Sequence, residues 1–186
     1  MVISGQNLQF GRRRTEYSYY FSRYNHIWGW ASWRRAWRHF DFQMNIWPEI
    51  RDGGWLEDIL SNVSAVNYWR RIFEWVYSGR LNTWAYRWSC AIWAQSGLTV
   101  LPNVNLVSNI GFDSVATHTM KKSELTDMAT EAMDFPIRHP PFVIRDAQAD
   151  NFTQGRVYSI NLENRARLKI KKLLGDVMRR KGTFLL

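Results

Sequence analysis

Sixteen carboxylates, four histidines and one cysteine are the side chains of this 186-residue chain suited to acid–base, nucleophilic or metal chemistry. Their spacing builds no self-contained catalytic motif. There is no G-x-S-x-G nucleophile elbow, no G-x-x-x-x-G-K-[ST] phosphate loop, no dinucleotide fingerprint and no H-E-x-x-H pair. His26, His39, His118 and His139 are scattered, so histidines alone form no metal site. Glu57 and Asp58 are adjacent, and neighbours on a helix point in different directions, so the pair reads as a solvated face. Asp41, Asp52 and Asp113 fall in predicted loops near aromatic residues, where catalytic carboxylates often sit, although chance placement accounts for each equally well. Tryptophan is the stronger signal, with all eleven lying between Trp28 and Trp93. An indole brings a large flat apolar face and one N–H that needs an acceptor. That density fits a Trp-rich core, a cleft that stacks on sugars or bases, or both.

The elements that must position these side chains follow from periodicity and turn residues. Residues 1–27 read as loop and short strand, and Trp28-Gly29-Trp30 as a tight turn. Ser32 is placed to cap a short helix carrying Trp33, Ala36, Trp37 and Phe40. Trp47-Pro48 and Asp52-Gly53-Gly54 mark a loop. Apolar residues from Leu56 to Val76 recur at three- and four-residue steps, which predicts one long amphipathic helix ending near Gly79. A second helix opens at Thr83 and stops at Gly97, with Trp84, Trp88, Ala91 and Ile92 on one face. Leu98–Pro102 and Asn105–Val107 read as short strands, and Gly111 to about Gly155 mostly as loop. A last amphipathic helix is expected over roughly Leu162 to Arg180.

Composition narrows the class. The chain is 46% hydrophobic and 22% charged, a globular balance long enough to bury a sizeable core as one domain. No apolar run approaches the ~18 residues of a membrane span, and Met1 to Phe10 lacks the pattern of a secretory signal. Cys90 stands alone, which rules out an intramolecular disulfide or a cysteine-cluster zinc site and makes a reducing compartment the default. The net charge of +9 is unevenly spread: residues 156–186 hold nine Lys/Arg against two Asp/Glu, leaving residues 1–155 with only +2. A nucleic-acid reader would carry its charge on a folded face, and no zinc-finger or RNA-recognition signature occurs, so no nucleic-acid partner is expected.

Two stretches point to a family. Tyr19-Tyr20-Phe21-Ser22-Arg23-Tyr24-Asn25-His26-Ile27-Trp28-Gly29-Trp30-Ala31-Ser32-Trp33-Arg34-Arg35-Ala36-Trp37 is one. The other is Gln95-Ser96-Gly97-Leu98-Thr99-Val100-Leu101-Pro102-Asn103-Val104-Asn105-Leu106-Val107-Ser108-Asn109-Ile110-Gly111-Phe112, continuing to Ala116-Thr117-His118-Thr119. Both resemble the acceptor-side half of bacterial nucleotide-sugar glycosyltransferases of the GT-A fold, relatives of nucleotide-diphospho-sugar transferases and haemolysin-like proteins. The resemblance spans about residues 3–153. It implies an α/β chain with a partial GT-A-like fold, Trp-rich helices on a few short strands and a C-terminal basic amphipathic helix. The organisation expected is an acceptor-side half at 1–155 and a basic helical tail at 156–186.

Such enzymes begin with a Rossmann-like half that binds the nucleotide and carries an Asp-x-Asp metal motif. Here Val2-Ile3-Ser4-Gly5-Gln6-Asn7 looks like a segment that follows that half, and no Asp-x-Asp occurs. Asp41-Phe42-Gln43 and Asp146-Ala147-Gln148 lack the second carboxylate, and Asp150 lies too far along. The expected function is sugar transfer from a nucleotide sugar to a glycan or lipid-linked envelope acceptor, incomplete in this chain. The alternative is a non-catalytic carbohydrate-binding or interaction module derived from that fold. The resemblance implies a divalent cation, Mn or Mg, for the complete enzyme, since the leaving diphosphate must be neutralised. It also implies a base to take the acceptor proton. Where it leads us to expect an acid, this chain has Ala85, and no residue from Asn82 to Trp88 is acidic.

By the same resemblance Trp28, Gly29, Trp30, Trp84 and Asp113 are the candidate substrate-binding residues, and His118 is the candidate metal ligand. Each has a plainer reading beside it. Trp28-Gly29-Trp30 also suits a tight core turn, and His118 a loop histidine bonded to backbone. An N-terminal partner half or self-association is expected to cover apolar faces that the missing half would leave open. The tail reads either as a solvated helix face or as a membrane-surface helix touching anionic headgroups, which would place a cytoplasmic protein at the inner face of the membrane.

Overall fold

A computed structural model describes residues 1–109, 125 and 128–158. Four short strands form one mixed sheet: β1 (Val2–Ser4), β2 (Tyr19–Ser22), β3 (Trp30–Ser32) and β4 (Thr99–Pro102). Their order is β2-β4-β1-β3, with β1 parallel to β4 and both outer strands antiparallel to their neighbours. Helices cover one face, which makes the chain an α/β protein. That inner face is set by the pleat, because Val2, Ser4, Tyr20, Ser22, Thr99 and Leu101 are buried. On the other face the paired row Phe21–Val100–Ile3–Ala31 is half-buried to exposed, with Ile3 44% exposed.

The helical layer comprises α1 (Arg34–Trp37), α2 (Trp47–Asp52), α3 (Trp55–Ile59), α4 (Val63–Tyr77), α5 (Trp84–Ala94) and α6 (Ala147–Thr153), which runs into a π-helical turn, Gln154–Tyr158. The core lies between α4, α5 and the inner sheet face, and Trp47, Trp69, Trp88 and Phe73 are among its most deeply buried side chains. Tyr158 packs against this cluster, its ring 4.9 Å from that of Trp69. No helix among the described residues is long and apolar enough to cross a membrane.

Several sequence expectations need correction. The helix expected from Leu56 to Val76 is two helices, α3 and α4. Leu60 is extended, and the Asn62 side chain accepts from the Ser64 and Ala65 N–H groups at 2.8 and 3.3 Å, so a new helix starts there. Apolar periodicity continues across such a break because both pieces face the same core. Trp47-Pro48 is no loop but the start of α2, where the missing proline N–H costs nothing. Ser32 lies in β3 and donates to the Met1 carbonyl at 2.9 Å, while α1 begins after Trp33 with no side-chain cap. Asn105–Val107 is not a strand: the Asn105 amide donates to the Val107 and Ala129 carbonyls instead of joining a ladder. Within the stretch read as loop, α6 forms because Asp146 accepts from the Ala149 N–H at 2.8 Å.

The second helix is close to expectation. Thr83 caps it, accepting from the Ala85 N–H at 3.3 Å, and Trp88, Ala91 and Ile92 are buried. At its end Ser96, not Gly97, takes the left-handed conformation, with φ 49°. Gly97 packs against the Met1 thioether, so a Cβ there would make that flexible side chain shift. The helix expected over Leu162 to Arg180 lies outside the described residues.

These contacts rank two substitutions. Trp69→Ala empties the centre of the aromatic core and is expected to cost ~3–5 kcal/mol, whereas Asn62→Ala removes one cap and costs about 1 kcal/mol. Urea unfolding followed by circular dichroism measures both. Equal costs would contradict the central place given to Trp69.

Candidate functional site

The turn at Trp28-Gly29-Trp30 forms because Gly29 has φ +58° and because Val107 packs against it, so close that a Cβ would meet Val107 Cγ1. The Gly29 carbonyl accepts from the Gly5 N–H at 2.7 Å, and that of Trp28 from the Ser4 hydroxyl at 3.3 Å. The turn delivers Trp30 onto α5. Its ring stacks on Trp84 at 5.3 Å and 27°, and lies 5.8 Å from Trp37, which stacks on Phe40 at 4.5 Å. Trp37 and Trp84 are each 40% exposed, whereas Trp88 beneath them is fully buried. The result is a tryptophan platform, rooted in the core through Trp88 and partly open to solvent at Trp37 and Trp84. The structure thus brings Trp30 and Trp84 together and adds Trp37, previously read only as a helix-face residue. Trp28 is half-buried next to them in sequence. Asp113 and His118 lie outside the described residues.

Most of the reactive-looking side chains serve the fold. Asp41 accepts from the Gln43 N–H and from Asn45, closing a local turn. Asp52 ends α2, where its bonds to Arg51 hold it below the usual carboxylate range. Glu57 is exposed and pairs with Arg70 at 2.8 Å. Burial, with Asp41 nearby, pushes the Cys90 thiol up to about 12, which leaves no thiolate at neutral pH. Ala85 sits in the first turn of α5, a turn without any acidic residue. Among the described residues no group of three or more His, Cys, Asp or Glu could hold a metal ion.

A second site is polar. A cavity of about 460 Å3 opens between the end of β2, the start of α4 and the α6 segment. Asp150, 4% exposed, lies against it. Its carboxylate accepts from the Ser22 hydroxyl at 2.5 Å and the Arg23 N–H at 3.3 Å, and pairs with Arg145 Nε at 3.7 Å. Burial raises its pKa, opposed by these hydrogen bonds and by the charges of Arg145 and Arg23. Asp146, the other carboxylate of that stretch, caps α6 and takes a two-bond contact from Arg14 at 3.1 and 3.2 Å. What the sequence reading missed is the pairing of Arg23 with Arg145, more than a hundred residues apart. The only hint was the adjacency of Arg145 to the acidic Asp146–Asp150 stretch.

Burial gives His26 a pH consequence. It is fully buried, with Nδ1 3.0 Å from the Gln6 carbonyl, and burial lowers its pKa to about 4. The folded protein keeps it neutral, while the unfolded chain protonates it below about 6.5. Stability from this group is therefore complete above pH ~6.5 and falls by about 3 kcal/mol as pH drops to ~4. Asp150, with its raised pKa, slopes the opposite way in the lower part of that window, so the readout is a difference. Urea midpoints of the native protein and His26→Gln, measured from pH 4 to 7, should converge on acidification. A constant difference would remove His26 as the cause.

Comparison of the chain with protein-family models, with curated proteins and with solved structures gives no match.

Proposed function

We propose that this chain is the acceptor-side half of a GT-A-type nucleotide-sugar glycosyltransferase, and that Trp30, Trp37 and Trp84 form its sugar-stacking surface. The observation that carries this reading is the tryptophan platform. Two large indoles left 40% exposed on a rigid aromatic base are ill-suited to a surface that meets only water. Their flat faces suit the C–H faces of a pyranose ring, and hydroxyl partners at the rim would set its orientation. Trp30, delivered by the Gly29 turn, extends the platform by stacking on Trp84.

The outer face of the sheet supports the word "half". The row Phe21–Val100–Ile3–Ala31 is apolar and lacks a covering layer among the described residues. A sheet containing a parallel pair is ordinarily covered on both faces. A donor-binding half laid over this face would supply the nucleotide site and the metal carboxylates. The acid-free first turn of α5 favours a second reading, a carbohydrate-binding module that recognises the acceptor sugar without transferring to it.

An array of bacterial envelope oligosaccharides, probed with the labelled full chain, tests the platform. Retention on a subset of glycans is expected, weakened at least roughly tenfold by Trp84→Ala, in keeping with the loss of one stacked aromatic contact. Binding that survives both Trp84→Ala and Trp37→Ala would overturn the assignment, as would no binding at all. Release of free sugar from a nucleotide sugar in the presence of Mn separates transferase from module, since only a catalytic chain leaks to water.

A further inference from the structure

The cavity beside Asp150 is built for a ligand of its own. Its walls carry two guanidiniums, Arg23 and Arg145, but one carboxylate, Asp150. That carboxylate is already committed to Ser22, to the Arg23 backbone and to Arg145. The Arg23 guanidinium has no hydrogen bond or ion pair among the described residues, although the residue is only partly exposed. Burial and the like charge of Arg145 lower its proton affinity, and Asp150 offsets this only in part. One carboxylate thus faces two guanidiniums, and the excess positive charge is what a bound anion would balance. The guanidinium fork matches a phosphate or carboxylate through two parallel hydrogen bonds.

The opposite wall contributes neutral donors. Ser61, Asn62 and Ser64 line the cavity at the start of α4, a 15-residue helix whose N-terminal end favours negative charge. Asn62 uses its Oδ1 on two backbone N–H groups, which leaves its amide NH2 as a donor. At about 460 Å3 the space exceeds that of a bare ion and falls in the range of small-metabolite sites. The one repulsive group, Asp150, is buried and turned to its own partners. It acts as a positioning residue that holds Arg145 and the Arg23 backbone.

From this geometry we propose that the cavity is an oxyanion site for a small phosphorylated or carboxylated metabolite, with Arg23 and Arg145 gripping the anionic group. This goes beyond the glycosyl-transfer reading and does not rest on it, since none of these residues belongs to the tryptophan platform. Isothermal titration of the full chain with glucose 6-phosphate, glucuronate, inorganic phosphate and glucose tests the site. The anions are expected to bind and glucose not to. Glucose 6-phosphate against glucuronate tells a phosphate ligand from a carboxylate one.

Arg23→Gln is the decisive variant because it leaves the Arg23 N–H on Asp150 in place. It should weaken anion binding by at least roughly tenfold, the loss of a charge-assisted contact. Its melting temperature without ligand should hold or rise, because an unpaired charge is removed. Arg80→Gln, an exposed arginine elsewhere, should change nothing. Binding by none of the three anions would overturn the proposal. So would equal weakening in Arg23→Gln and Arg80→Gln, which marks general attraction to a basic protein.

Discussion

A buried indole N–H calls for an acceptor; the arrangement around Trp69 supplies one, whereas Trp88 Nε1 has none among the described residues. Gln154 Oε1 accepts from Trp69 Nε1 at 2.9 Å and from the Tyr24 hydroxyl at 2.8 Å. One carbonyl thus ties α4, the segment after β2 and the π-helical turn together. Trp69 is also in ring contact with Tyr24, Tyr68, Phe73, Tyr86, Trp93 and Tyr158. The remote segment around α6 is drawn onto the core by this polar knot, and with it come Asp150 and the floor of the polar cavity. A second clamp works alike: Gln9 Nε2 donates to the Ala149 carbonyl and the Thr153 hydroxyl, fixing α6 from the other side.

What could be read from the sequence divides along physical lines. Strongly periodic segments were legible, because Trp88, Ala91 and Ile92 must share a face for α5 to exist, and Thr83 is a good cap. Breaks between helices were not, since Leu56 and Val66 face one core from two helices and the pattern carries straight through Leu60. Short elements hid for another reason. The three residues of β1 are too few to show alternation, and α6 rests on a single capping carboxylate rather than on an apolar stripe.

The candidate sites follow the same division. The tryptophan platform was partly visible because Gly29 between two tryptophans implies a turn with rings on either side. That Trp84 would meet Trp30 depends on the packing of α5 against the turn, which no local pattern encodes. The Arg23–Arg145 cavity was invisible because its cations are far apart in sequence, and each reads there as an ordinary solvated charge. The parallel bridge between Phe21 and Arg145, with Asp150 between the two cations, brings them to one place.

The same knot that orders the core gives the protein an optical property. Gln154 and Tyr24 are at once walls of the polar cavity and hydrogen-bond or ring partners of Trp69. Trp69 in turn lies 4.7 Å from Trp93, close enough to exchange excitation energy with it. A change at the Gln154 wall therefore reaches the Trp69 ring through its N–H bond, without anything entering the core.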